Sequence, residues 1–382
     1  MIDYTEFQNE IVQLRRHLHQ YPETAFKEFK TTEFIASYLQ NNGYSVKKTN
    51  PTGCYAFLNA KENAPTVIVR AEIDAVPIDE KTDLPFASKN KGAMHACGHD
   101  ANTAVALVLA KLCQKTKEYL SCNVKFVFEP AEEIGSGAKV MLQSGVLENP
   151  KADSLIMFHF VNKASGGMEV NKDIASAAIG RLEMEFTGVS AHWAARQKGR
   201  DAINAACLTA AQLYNINESY RSKYPFFICL GQIQGGTSAN VMSGYAKING
   251  NLRACSMKDY KKLAEIIKDT AEKIQTKTGV NIKCDISKYP ITPIINNPYM
   301  VKKAAQTGKE VFGDEFYIVD KLYLAGDNAS MYFENIPGII MVFRSKSQTA
   351  LPLHNPKFVL NEDCFYKALE TLHKYIIGLY RK

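Results

Sequence analysis

Apolar positions recur along this chain with two different periods, and the change between them marks its organisation. Phe7, Ile11, Leu14 and Leu18 fall at helical spacing, and Thr31 to Leu39 repeats the pattern before the Asn41-Asn42-Gly43 turn. Thr66-Val67-Ile68-Val69-Arg70-Ala71 is a short β-rich apolar run that ends in Glu72-Ile73-Asp74, which reads as a buried strand with function at its C-terminal end. Val124 to Phe128 is a second such run. It ends at Glu129-Pro130-Ala131-Glu132-Glu133, where Pro130 stops ladder pairing as the acids begin. Ser154 to Phe158 is a third and delivers His159 at its end. Between the first two, Ala104 to Leu112 is apolar nearly all round, which predicts a fully buried helix capped by Asn102 or Thr103. Gly135, Gly137 and Gly145 bracket a short helix, Ile336 to Phe343 reads as another strand, and Asn361 begins a C-terminal helix. Apolar strands separated by helical segments predict an α/β fold with a mostly parallel sheet and its site at the strand ends.

From about Ile179 the texture changes. Leu182 to Phe186 alternates, a helix follows around Ala202 to Tyr214, alternation returns at Ile228 to Ile233 and Ala246 to Leu252, and Tyr260 to Lys277 is a Lys-rich amphipathic helix. This order predicts a small α+β domain with one solvated sheet face, spanning 179–288 and inserted into a first domain of 1–178 and 289–382.

Length agrees with this division, because 382 residues exceed the size at which a single core stops growing. The net charge of +7 is spread along the chain, which suits steering of anionic small molecules and argues against nucleic acid as a partner. No stretch approaches the roughly 18 uncharged apolar residues of a membrane span. Asp3, Glu6, Glu10, Arg15 and Arg16 are unlike a secretory signal. Nine cysteines without a tight framework predict reduced thiols and a cytoplasmic location.

Met94-His95-Ala96-Cys97-Gly98-His99-Asp100 concentrates a thiol, two imidazoles and a carboxylate. If this segment is extended, Cys97 and His99 point to one face, and Asp100 is placed to orient a ligating imidazole. Cys97, His99, Glu133, His159 and His354 all fall in the first domain, nearly all just after an apolar strand. Five such residues are too many for one tetrahedral zinc and suit two metals bridged by one ligand and one water.

The chain resembles the M20 metallopeptidase and amidohydrolase family, in particular its aminoacylase, hippurate hydrolase and auxin-conjugate hydrolase branch. The resemblance runs through Arg15-Arg16-His17-Leu18-His19 with Pro22-Glu23, Arg70 to Ile78, Met94 to Asp100, and Pro130-Ala131-Glu132-Glu133. It continues through Ser190-Ala191-His192, Gly235-Gly236-Thr237 with Asn240-Val241, Arg253, and Leu353-His354-Asn355-Pro356. It implies a zinc-peptidase-like catalytic domain with a ferredoxin-like lid that also serves dimerisation. It further implies two divalent ions (Zn, Mn, Co or Ni) held by Cys97, His99, Glu133, His159 and His354, with Glu132 as general base. By the same resemblance His192 donates to the oxyanion across a homodimer, and Asn240 and Arg253 hold the substrate carboxylate.

The expected activity is hydrolysis of N-acyl amino acids to a carboxylic acid and a free amino acid. The alternatives are a dipeptidase or carboxypeptidase of the same fold, N-acetyl-diaminopimelate deacetylation, and a non-catalytic metal-binding protein. The chain departs from the family pattern at Glu72, Trp193, Arg196, Asp327-Asn328-Ala329 and the residues after His159. These positions are expected to lie where the acyl group or the amino-acid side chain sits.

Overall fold

Thr66–Glu72 and Asn123–Glu129 are buried at every position, as strands covered by helices on both faces must be. The computed structural model describes residues 2–287 and 291–381, so the expected boundary at 288–289 lies outside the described residues. The two strands sit within an eight-stranded sheet. Its order is Val46–Lys48, Cys54–Leu58, Asn123–Glu129, Thr66–Glu72, Ser154–Lys163, Gly338–Lys346, Gly167–Asn171 and Phe316–Val319. The central four are mutually parallel, and antiparallel pairs occur on both sides of them. Helix His99–Lys115 packs on this sheet with Ala104, Val105, Ala106, Leu107, Val108, Leu109 and Ala110 wholly buried. Each large side chain so buried contributes about 1.5–3 kcal/mol.

The chain divides into two compact units. The first is Met1–Ala175, Ile295–Lys321 and Asn328–Lys382, and the second is Ser176–Ile294 with Leu322–Asp327. The short return of Leu322–Asp327 to the second unit has no counterpart in the apolar pattern. It is held by backbone and side-chain bonds, such as Ala177 N to Ala325 O at 2.7 Å, that sequence periodicity does not register.

The second unit is an antiparallel sheet in the order Asn281–Ile286, Ala178–Thr187, Tyr245–Ala254 and Phe226–Gly235. Leu182, Met184 and Phe186 alternate inward and share one apolar cluster with Ala205 and Leu213 of helix Ala202–Ser219 and with Leu263 and Ile267 of helix Met257–Thr278. The strand Asn281–Ile286, whose burial is only partial, completes a β-α-β-β-α-β order of the ferredoxin-like kind. No helix among the described residues is long and apolar enough to cross a membrane.

Candidate metal centre

The parallel strands bring their polar ends to one level. Glu72 pairs with Glu129 across adjacent strands, and Arg70 pairs with Met157, which puts His159 two residues further along its own strand. His159 therefore lies within Ser154–Lys163 rather than at its end, because the strand continues by pairing with Gly338–Lys346.

The Met94–Asp100 segment is not extended. Cys97 lies in a turn, Gly98 takes a left-handed φ of 83°, and His99 is the first residue of helix His99–Lys115. The helix starts ahead of the expected caps, so Asn102 and Thr103 are internal. Their side chains bond Glu72 Oε2 at 2.8 Å and Glu72 O at 2.7 Å, tying the helix to the strand end. Glu132 and Glu133 also lie in a turn, preceded by Ala131 at φ 51°. His354, at φ 66°, sits in a loop fixed by His354 N donating to Ala96 O at 2.9 Å. Non-glycine residues in this left-handed region are strained, and two of them flank the site.

These turns bring the donors together. Three groups, Cys97 with His99 and His159, Cys97 with Glu133 and His354, and His99 with Glu132 and Glu133, each have ligand atoms within 4.8 Å of one another. Cys97 Sγ is 3.8 Å from His159 Nε2, and His354 Nε2 is 3.2 Å from Glu133 Oε2. His99 Nε2 lies 4.0 Å from Glu132 Oε2 and 3.9 Å from Glu133 Oε1.

Both inner imidazoles donate from Nδ1 to a backbone carbonyl, His99 to Asp74 O at 2.9 Å and His159 to Phe160 O at 2.8 Å. With Nδ1 so engaged, Nε2 is the nitrogen that each ring turns toward the cluster, the orientation a ligating histidine requires. The orienting partner of His99 is Asp74 and not Asp100, which faces Arg15 and His19 instead. Asp74 also accepts from Glu133 N at 3.0 Å. The sequence shows Asp74 only as the acidic end of an apolar run.

Glu133 Oε1 and Asp74 Oδ1 are buried without a hydrogen-bond partner. Burial would raise the Glu133 carboxyl, but the His354 hydrogen bond and His99 hold it down to about 2. Burial pushes the Cys97 thiol up. It would lower His99, whose imidazole Cys97 and Asp74 instead hold well above its ordinary value. A thiol, imidazoles and carboxylates converging in a buried place, with orphaned acidic oxygens, fit divalent first-row cations.

The departures at Glu72, Asn328 and Ala329 do not line a substrate space; all three are wholly buried. Arg70 is locked among Glu72, Glu129 (Nη2 to Oε1 at 2.8 Å) and Asn328 (Nη2 to Oδ1 at 2.9 Å), and Tyr332 donates to Glu129 Oε2 at 2.7 Å. Glu72 and Asn328 thus belong to a buried polar cluster around the Arg70 guanidinium.

His192, Asn240 and Arg253 all belong to the second unit. His192 is exposed and pairs with Val241, next to Asn240, whose carbonyl accepts from Trp193 N at 3.4 Å. His192 Nδ1 accepts from Ala194 N at 3.1 Å, so in the neutral ring the proton is on Nε2. Arg253 donates from Nε to Asn251 Oδ1 at 2.9 Å and from Nη1 to Leu324 O at 2.8 Å.

Comparison with known proteins agrees with this geometry. The model of peptidase family M20/M25/M40 matches residues 68–378. N-acetyl-L-cysteine deacetylase of Bacillus subtilis is 30% identical over 98% of this chain and 89% of its own length. N-acetyldiaminopimelate deacetylase of Geobacillus sp. is 29% identical over 96% of each. Among solved structures, the Bacillus subtilis YXEP protein, a dinuclear metal binding peptidase from the M20 family, superposes with a TM-score of 0.85 at 27% identity, covering 98% of this chain and 99% of that one.

Proposed function

This chain belongs to peptidase family M20/M25/M40, and on that premise we propose that it is a dinuclear metal-dependent amidohydrolase that cleaves N-acyl amino acids into a carboxylic acid and a free amino acid. The observation that carries the reading is the convergence of Cys97, His99, Glu133, His159 and His354 beside the Glu132 carboxylate. Those five residues would hold the cations, for which zinc, manganese, cobalt and nickel all match the donor set. Bound there, two divalent ions supply electrophilic polarisation of the amide carbonyl and lower the pKa of water.

Glu132 takes the proton of the attacking water and returns it to the departing amine nitrogen. His192, with its hydrogen on Nε2, donates to the developing oxyanion, an interaction worth about 3 kcal/mol of barrier. Arg253 and Asn240 recognise the substrate carboxylate. The relatives named above act on N-acetyl compounds, which makes acetyl the first acyl group to test. We place the homodimer contact on the second unit, whose edge strand Phe226–Gly235 exposes Phe227 and Ile233, and the protein in the cytoplasm with its thiols reduced.

The test is hydrolysis of N-acetyl, N-benzoyl and longer N-acyl amino acids, N-acetyl-diaminopimelate and dipeptides by metal-reconstituted protein beside Glu132→Ala. Turnover lost in the variant while both ions stay bound is the expected result. Preference for N-acetyl-diaminopimelate would establish the second reading, favoured by the Geobacillus relative. No turnover with two ions bound would refute the amidohydrolase assignment on these substrates.

A further inference from the structure

The Arg15-Arg16-His17-Leu18-His19 string has no part in the chemistry above, yet two of its polar side chains are buried. Helix Gln8–Gln20 presents Arg15 and His19, four residues apart on one face, at 1% and 0% exposure. Between them they hold Asp100, whose Oδ2 lies 2.7 Å from Arg15 Nε and 2.7 Å from His19 Nδ1. Each then reaches a second carboxylate. Arg15 Nη1 is 3.1 Å from Glu362 Oε1, a carboxylate that Arg16 also pairs at 2.5 Å, and His19 Nε2 is 3.3 Å from Glu80 Oε1.

The three carboxylates belong to segments that build the site. Asp100 directly follows His99. Glu80 precedes Lys81, whose N donates at 2.8 Å to Pro356 O, two residues past His354. Glu362 is the first residue of the short 3-10 helix Glu362–Cys364, which follows the loop that His354 occupies. One side of the centre and the stretch that follows its outermost imidazole are thus tied to two side chains of one helix.

We propose that Arg15 and His19 are positioning residues that set the separation between the His99 and His354 sides of the metal centre. The proposal rests on the metal-centre reading above. Its chemistry is specific to this pair, because an imidazole can donate to carboxylates from both nitrogens only as imidazolium. Burial pushes His19 down, but Asp100 and Glu80 hold it above its ordinary value. Arg15 Nη2 lies 3.4 Å from His19 Nδ1, a close approach of two cations that Asp100, Glu80 and Glu362 offset. Among the described residues, the ion pairs of both side chains run to Asp100, Glu80 and Glu362 and not to a ligand. They act by fixing the backbone on which His99 and His354 are mounted.

Two substitutions separate the arms. His19→Asn keeps a donor for Asp100 and His19→Gln keeps one for Glu80, and neither spans both. Chelator competition with Zn²⁺ and Mn²⁺ is run on folded protein, with urea unfolding on the same samples. Both variants should lose roughly 10- to 100-fold in cation affinity while remaining folded, and Glu80→Gln, which retains the side chain that accepts from Ser88 N, should lose less. Wild-type affinity in both His19 variants, or lost binding that merely tracks the unfolded fraction, would overturn the proposal. If neither His19 variant folds, Glu80→Gln decides, and an unchanged affinity there is a refutation. A wild-type chain that takes up no cation would instead overturn the metal-centre reading, a result distinct from two ions bound equally by wild type and variants.

Discussion

Glu28 is the residue whose removal should most clearly connect packing to catalysis. It is wholly buried at the start of helix Phe29–Asn41, and its carboxylate accepts from Ala131 N at 2.8 Å and from Thr52 Oγ1 at 2.6 Å. Ala131 is held at φ 51° immediately before Glu132, so Glu28 clamps a strained residue beside the proposed base. Glu28→Ala leaves a buried N–H and a buried hydroxyl unsatisfied, at roughly 1–3 kcal/mol each, so about 2–6 kcal/mol together. Glu28→Gln keeps an oxygen for Ala131 N and offers its amide to Thr52, and should cost less than about 1 kcal/mol. Urea unfolding measures both. With the turn relaxed, displacement of Glu132 by about 1 Å would lower kcat by about 100-fold in Glu28→Ala, with a smaller change in KM. An alanine variant within about 0.5 kcal/mol of wild type, or a glutamine variant as damaged as alanine, would refute this account of the turn.

Two further outcomes are expected from the same structure. Lys125 is wholly buried and donates to Val146 O, Glu148 O and Pro150 O at 2.7, 2.9 and 3.0 Å, and burial pushes its ammonium down to about 8 from 10.5. Between those values the unfolded chain binds the extra proton, so stability should rise with pH from about 8 to about 10.5, by up to about 3 kcal/mol. The rise should be absent from Lys125→Met relative to wild type, and parallel pH profiles of unfolding free energy would contradict it. Returning Zn²⁺ to chelator-treated protein at about 100 times its Kd should stabilise the fold by about 2.7 kcal/mol per site, and Cys97→Ser should lose most of that gain. A urea midpoint indifferent to the metal would count against the centre.

Much of this arrangement is legible in the amino-acid order, because the patterns concerned are local. A strand buried on both faces has to be apolar throughout, which is why Thr66 to Ala71 and Val124 to Phe128 stand out. An alternating strand such as Leu182 to Phe186 declares its solvated face just as directly. The ligand types are legible too, since a metal site needs soft and anionic donors and Cys97, His99, Glu133, His159 and His354 are few enough to collect.

What the local pattern does not carry is the backbone conformation of turns and the choice of long-range partners. Extended geometry at Met94–Asp100 is the natural reading of a segment that follows a strand. The structure replaces it with a left-handed Gly98 entering a helix and sets Glu132-Glu133 in a turn led by Ala131, conformations stabilised by contacts from Glu28 and Asp74 that lie far away in sequence. Asp100 looked like a partner for the adjacent imidazole, but a helix start turns it toward Arg15 and His19, 85 and 81 positions back. Glu72, Asn328 and Ala329 looked like substrate-facing departures and are interior. The sequence by itself determined which elements form and which atoms are able to bind a cation. Only the tertiary structure decided which carboxylate orients which imidazole, because a buried charge must find its partner across the packed core and that partner is set by topology.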